Sequence, residues 1–233
     1  MIFLLAGFLV NKENAKYILS GYNTMSEEER RKYNLEAFLI FYRHFHLFLS
    51  VSLLVTGLLL DLFYKNAGGI FIVLYPLLCY CYFIWRAQAY NLNKSKVKRH
   101  LTNGVIFLLL FAIFSLAALF CYSMSQNTVL IKGNVIEITG MYGESLQSNR
   151  IRSVEIVHQL PGINFKTNGF ALGDYKKGNF RTQTGKVVTL LVDETAKPYL
   201  KIVTDKKEIF LSSSKINAAD LYHKLNKSIP KYR

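Results

Sequence analysis

Residues 104–120 read GVIFLLLFAIFSLAALF. A helix drawn through this run has no polar face, whereas a helix on the surface of a soluble core keeps one. Extended to Met124, the run reaches the roughly 20 apolar residues needed to cross about 30 Å of hydrocarbon. Working backwards, two more runs have the same character, Phe45–Leu60, which ends against Asp61, and Gly68–Trp85. Tyr42, Tyr64, Trp85 and Tyr122 lie near the predicted ends, where amphipathic rings prefer the headgroup layer. Pro76, mid-way along the second run, lacks the N–H that a straight helix needs and is expected to kink it. Residues 1–125 are therefore read as an α-helical membrane domain, and residues 126–233 as a second domain.

The composition agrees. The 233 residues are 51% hydrophobic and carry 29 Lys+Arg against 15 Asp+Glu, a formal charge of +14. This excludes a disordered chain, a collagen and a disulfide-built miniprotein. Cys79, Cys81 and Cys121 all fall inside predicted spans, so no disulfide is expected in the second domain.

Ile2–Val10 is a fourth apolar run, and nine helical residues rise only about 14 Å. No basic stretch precedes it and no small-x-small site follows, so it is not a signal peptide. Either it inserts half-way or the chain begins upstream, and truncation is the expectation. Basic residues set the orientation. Lys12, Lys16, Arg30, Arg31, Lys32 and Arg43 precede the first full span, and Arg86, Lys94, Lys96, Lys98 and Arg99 follow the second. The loop 61–67 holds only Lys65. The positive-inside rule then puts both basic segments in the cytoplasm and the C-terminal domain outside the cytoplasmic membrane.

Residues 20–34 read SGYNTMSEEERRKYN. Ser26 and Glu29 have capping-box spacing, and the Glu triplet followed by Arg30, Arg31 and Lys32 matches a helix dipole. Asn34 is placed to cap the helix that leads into the first span. AGFLV followed by GYNTMSEEERRKYN resembles the N-terminal module of a family of small, uncharacterised bacterial membrane proteins. There an apolar helix, a Gly-Tyr-Asn-Thr-Met-Ser turn and a charged helix ending in Lys-Tyr-Asp follow one another. Asn34 stands where that pattern has Asp. The resemblance covers residues 5–60 and implies a full first transmembrane helix, but no activity.

From Asn127 the pattern changes to short β-rich runs: Thr128–Ile131, Val135–Thr139, Ile151–Val157, Lys186–Val192, Tyr199–Thr204 and Glu208–Leu211. Gly133-Asn134 and Asp205-Lys206-Lys207 read as tight turns. An antiparallel sandwich or barrel follows, closed by a terminal helix capped by Asn217 with Leu221, Tyr222, Leu225 and Ile229 on one face. The stretches IEITGMYGESL, IRSVEIVHQLP, KTNGFALGDYKKGNFR, VVTLLVD and YLKIVTDKKEIFL, in that order, are similar to the bacterial pleckstrin-homology (PH)-like family. The resemblance spans residues 128–229. It implies an all-β PH-like domain and a role in binding or assembly, without the phosphoinositide pocket of eukaryotic relatives.

KTNGFALGDYKKGNFR is the most unusual stretch. Lys166, Lys176, Lys177 and Arg181 charge it, Gly169, Gly173 and Gly178 punctuate it, and aromatic residues interleave. One reading is a loop presenting cations to an anionic lipid, glycan or peptide; the other is a Gly-rich hairpin with solvated lysines. Nucleic acid is excluded as a partner by the outward placement.

No P-loop, HExxH, CxxC or GxSxG motif is present. His44 and His46 flank Phe45 at a membrane boundary and read as packing residues, not a metal pair. Glu144, Glu155 and Asp174 have no spacing that brings two carboxylates together. The spans nearly lack ionisable residues, which argues against a transporter. The expectation is a multi-pass protein of the cytoplasmic membrane that is not an enzyme and needs no cofactor. Its binding domain would present the four cations to a protein partner or an anionic envelope ligand. The alternative is a structural subunit of a membrane complex, with a homo-oligomer open, and a small transporter or membrane enzyme ranks below both.

Overall fold

The structure, a computed structural model, describes residues 2–64, 67–92 and 96–228. Lys65, Lys94 and Ile229 lie outside the described residues. The chain divides into two compact units, Met1–Ala118 and Leu119–Arg233.

The first unit is helical: α1 (Ile2–Leu9), α2 (Ala15–Ile18), α3 (Glu27–Arg31), α4 (Leu35–Phe63), α5 (Ala67–Ala87) and most of α6 (Lys96–Met124). Three of these helices, α4, α5 with the turn that follows it, and α6, are long and apolar enough to cross a membrane. Their outward surface is hydrocarbon, as at Leu54, Leu58, Ile72, Phe107 and Phe114. That surface would be unstable in water and suits lipid.

Helices α4 and α5 form an antiparallel hairpin. His46 Nε2 meets the Tyr80 hydroxyl at 3.1 Å, Tyr75 donates to Ser52 Oγ at 2.8 Å, and Gly68 lies against Gly57 and Asp61. Polar ties of this kind contribute about 0.6 kcal/mol each between membrane helices. Pro76 lies inside α5 and is buried. Helix α1 is only eight residues long and packs on α4, where Gly7 lies close to the His46 Cβ.

The charged segment closes one end of this hairpin. The capping box forms, Glu29 N on Ser26 Oγ and Ser26 N on Glu29 Oε2, and Asn34 Oδ1 accepts from Ala37 N. Arg30 reaches back to the carbonyls of Tyr22 and Asn23 and pairs with Glu27. Tyr22, Tyr33, Phe38, Phe41, Phe83 and Tyr90 stack around buried Val10, Ala15 and Leu19. A backbone bridge joins Tyr33 to Asn91, flanked by Asn34 N to Tyr90 O and Leu92 N to Lys32 O. Residues 10–34 are thus a folded cap on the ends of α4 and α5. Burial in it pushes the Tyr33 phenol well above its ordinary value.

The second unit is a β domain closed by a C-terminal helix, as the sequence predicts. Strands β1 (Val129–Lys132), β2 (Val135–Ile138) and β3 (Ser145–Gln147) form one sheet. Strands β4 (Ile151–Val157), β5 (Ile163–Leu172), β6 (Tyr175–Thr182), β7 (Val187–Asp193), β8 (Tyr199–Thr204) and β9 (Glu208–Leu211) form another in the order β4-β8-β9-β7-β6-β5. All pairs are antiparallel except β7 with β9, because β9 inserts between β8 and β7. Helix α7 (Ala218–Ser228) is capped by Asn217 and buries Leu221 and Leu225.

The larger sheet is necessarily coiled. Consecutive strands β4 and β5 are its two edges, joined only by residues 158–162. Following the register from Val157 through Tyr199, Val192 and Lys176 to Ala171, a flat sheet would separate Val157 from Ile163 by about 35 Å. The connection spans at most about 22 Å. The sheet therefore curls, and Leu160 of the connection packs with Phe180, Val188, Leu190, Val192, Tyr199 and Phe210 on the concave face. The other face, with Leu191, Ile202, Ile209 and Leu211, packs on β1–β3 and α7 through Ile136, Ile138, Leu221 and Leu225. Burial on both faces leaves every residue of β7 after Val187 buried and explains a sequence in which only Thr189 and the terminal Asp193 are polar.

Candidate functional site

The four cations lie on a hairpin, β5–β6, rather than on a loop. Gly178, at φ +114°, faces Gly169 across it, and a Cβ on either would overlap the opposite backbone. The glycines serve a close backbone approach. Because β6 is a strand, successive side chains alternate between faces. Lys177, Asn179 and Arg181 share the face of Leu191, while Lys176, Gly178 and Phe180 share the other. The four cations therefore do not form one patch.

Lys177 is buried at 2% exposure, and its ammonium donates to the Ser125 carbonyl just beyond the last turn of α6. The negative end of a helix is a favourable place for a cation. Burial nevertheless lowers the Lys177 pKa, with the Asp193 carboxylate acting in the opposite direction. Around it lies a polar junction. Asn127 Nδ2 donates to the Thr139 and Met141 carbonyls, Ser213 Oγ donates to Asn127 O, and Gln126 Nε2 donates to Ser214 Oγ. Phe120 of α6 meets Phe170 of β5 at 6.4 Å between centroids. Lys177 thus belongs to the fastening of the chain at residues 119–127.

Lys176 pairs with Glu194 at 2.5 Å and is half-buried. Arg181 lies over the Phe165 ring at 5.8 Å and donates to Gly185 O at 3.3 Å. Lys166 is exposed on β5, the edge strand. Phe165, Arg181 and Val187 form one cross-strand row, and all three are exposed, Phe165 at 50% and Val187 at 46%. An exposed arginine over an exposed ring, with exposed Val187 as its partner on the next strand, is a surface that can grip an anionic partner.

A cleft of about 400 Å³ lies where the β4–β5 connection meets the segment after β7, lined by His158, Gln159, Leu160, Glu194, Lys197 and Tyr199. No spacing in the sequence announces it, because only the coiling of the sheet brings these residues together. Glu144 pairs with Lys207 at 2.8 Å and Glu155 accepts from Ser153, so these carboxylates have separate partners. His46 is buried and bonded to Tyr42 O and Tyr80, while His44 is exposed. Among the described residues no group of three His, Cys, Asp or Glu side chains converges as a metal site.

A family model described as Domain of unknown function (DUF3784) matches residues 1–91. The match covers α1–α5 and ends at Asn91, the partner of Tyr33 in the bridge that closes the cap. Neither a curated protein nor a solved structure matches the chain.

Proposed function

We propose that this membrane protein is a multi-pass anchor for a PH-like binding or assembly domain. The helices hold the domain outside the cytoplasmic membrane, and the domain engages a protein partner or an anionic envelope component. The observation that carries this reading is the exposed Phe165–Arg181–Val187 row, with exposed Lys166 next to Phe165 on the edge strand but on its other face. Of the cations on the hairpin, Lys166 and Arg181 are the binding residues, with Lys176 at the margin. Lys177 contributes to the fold beneath. The orientation rests on Arg43 and Arg86, which stand at the capped end of the α4–α5 hairpin with Lys12, Lys16, Arg31 and Lys32.

A photo-crosslinking residue at Phe165 in intact cells should give a discrete adduct that Lys166→Glu with Arg181→Glu abolishes. An adduct indifferent to that charge reversal, or none at all, refutes the surface. A single cysteine at exposed Thr184, in a chain lacking Cys79, Cys81 and Cys121, should react with a membrane-impermeant maleimide in intact cells. Reaction only after lysis would place the domain in the cytoplasm.

A second reading, a structural subunit, is favoured by α6. In its span only 6% of residues are buried within the chain, which leaves its apolar faces to lipid or to another helix. It predicts one discrete oligomer in mild detergent, and a monomer counts against it.

A further inference from the structure

We infer that Lys16, Tyr17 and Ile18 form an interfacial foot, by which the cap rests on the bilayer at the boundary between headgroups and acyl chains. The segment is two-sided. Ala15 and Leu19, at 0% and 8% exposure, are held in the aromatic cluster of the cap. The three residues between them turn outward, with Tyr17 at 70% and Ile18 at 46% exposure. A tyrosine and an isoleucine offered side by side, with the Lys16 ammonium 4.8 Å from the Tyr17 ring centre, have the composition of a headgroup-level contact.

What lies beside them identifies the occupant. The outward side of α1 carries Ile2, Leu5, Phe8 and Leu9, at 59–79% exposure, and the polar turn Asn11–Asn14 separates it from the foot. That face suits only hydrocarbon. The level of the headgroups is marked on the same hairpin end by charges and rings on lipid-facing positions. Arg43 lies over Phe8 at 5.6 Å, Tyr82 meets Trp85 at 6.1 Å, and Arg86 lies over Tyr90 at 5.8 Å. Ala15 and Leu19, on either side of the foot, pack in the cluster that holds Phe83, Ala87 and Tyr90, so the foot stands at the level of this belt and offers it an amphipathic step. A protein partner covering the same residues would have to leave the adjoining face of α1 to lipid.

The test uses the full chain in vesicles of phosphatidylcholine and phosphatidylglycerol. The native chain has one tryptophan, Trp85. Its quenching by brominated lipid establishes insertion independently. In a Trp85→Phe background, Tyr17→Trp should emit to the blue of Thr24→Trp, which sits on an exposed turn of the cap. It should be quenched about twofold more by shallow than by deep bromines, and little by aqueous iodide. A nitroxide at Ile18→Cys, in a chain lacking the native cysteines, should collide more with oxygen than with a nickel chelate. If the indole of the Tyr17→Trp variant is quenched by iodide and not by bromolipid, the inference is overturned, as it is if that indole is shielded from both. In either case a quenched Trp85 leaves the membrane assignment standing.

Discussion

The sharpest prediction concerns Lys177. Its stem is packed and its ammonium satisfies the Ser125 carbonyl at the end of α6, so the side chain does two separable things. Lys177→Met keeps most of the stem and removes the donor, leaving a buried carbonyl without its partner, a loss of about 1–3 kcal/mol. It also abolishes the cost of holding an ammonium out of water. Burial disfavours the charge, so the two effects oppose and the Met variant should lose less than the unpartnered carbonyl alone would cost. Lys177→Ala loses the donor and about three buried methylenes besides, at about 0.8 kcal/mol each, and should fall about 2 kcal/mol below the Met variant. The charge also leaves a signature in pH. With the folded pKa depressed below the ordinary lysine value of 10.5, the unfolded chain binds more protons between the two values. Stability therefore rises with pH through that alkaline window, and below the folded pKa the penalty is present in full. Pulse proteolysis of the detergent-solubilised full chain across a urea series reads both effects from survival of the β domain. The difference between wild type and the Met variant should shift in favour of wild type as pH climbs toward 10.5. Equal stability of the Ala and Met variants, or a pH-independent difference, would refute this account of a buried, charged lysine.

Other substitutions test separate links. Gly178→Ala places a methyl group on the Asn168 carbonyl and imposes a left-handed backbone on alanine, so the β5–β6 hairpin should lose several kcal/mol by the same proteolysis. Gly7→Leu drives a side chain into the His46 Cβ and the Arg43 carbonyl and should lift α1 from α4. A disulfide between cysteines placed at Phe3 and Tyr80, whose rings lie 6.2 Å apart, should then form more slowly than in the Gly7 parent. Arg30→Ala removes the two backbone ties of the 22–23 turn and the stacking on Tyr22, a loss of about 1–3 kcal/mol. It should also bring the Tyr33 phenol back toward 10, read by its ultraviolet titration, if the turn opens and water enters the cap.

Much of the architecture is legible in the chain because it rests on local chemistry. The run at 104–120 needs only its own composition to require a membrane, and Ser26, Asn34 and Asn217 cap the helices that their positions announce. Strands β4, β8 and β9 coincide with their apolar runs to the residue. What escaped depends on partners distant in sequence. Strands β5 and β6 carry lysines, asparagines and glycines that read either as a loop or as a Gly-rich hairpin, and the hairpin forms because β7 supplies a ladder and Gly169 and Gly178 permit the approach. Once they are strands, Lys177 and Arg181 share a face, Lys177 buried where its ammonium meets the Ser125 carbonyl and Arg181 exposed in a row with Phe165. The parallel pairing of β7 with β9 is set by where β9 inserts, which no periodicity records.

The N-terminal region gives the stronger case of sequence specifying a unit. The resemblance at residues 5–60 concerns a turn and two short helices, yet the structure gives each part of the motif a structural partner. Tyr22 and Tyr33 are rings of the cap, Ser26 and Glu29 start its helix, and Arg30 ties the turn. Tyr33 and Asn34 fasten it to residues 90–91. The region matched by the DUF3784 model stops at that fastening. Its boundary therefore has a physical meaning: the aromatic cluster and the bridge that close the cap draw on residues up to Tyr90 and Asn91. Helix α6 falls outside the match, and its last residues, 119–124, belong to the β unit, where Phe120 meets Phe170 and Lys177 holds the carbonyl of Ser125. The α4–α5 hairpin and its cap thus lie together in the matched region, and α6 is shared between the units, clustering with the helices as far as Ala118 and with the β strands from Leu119.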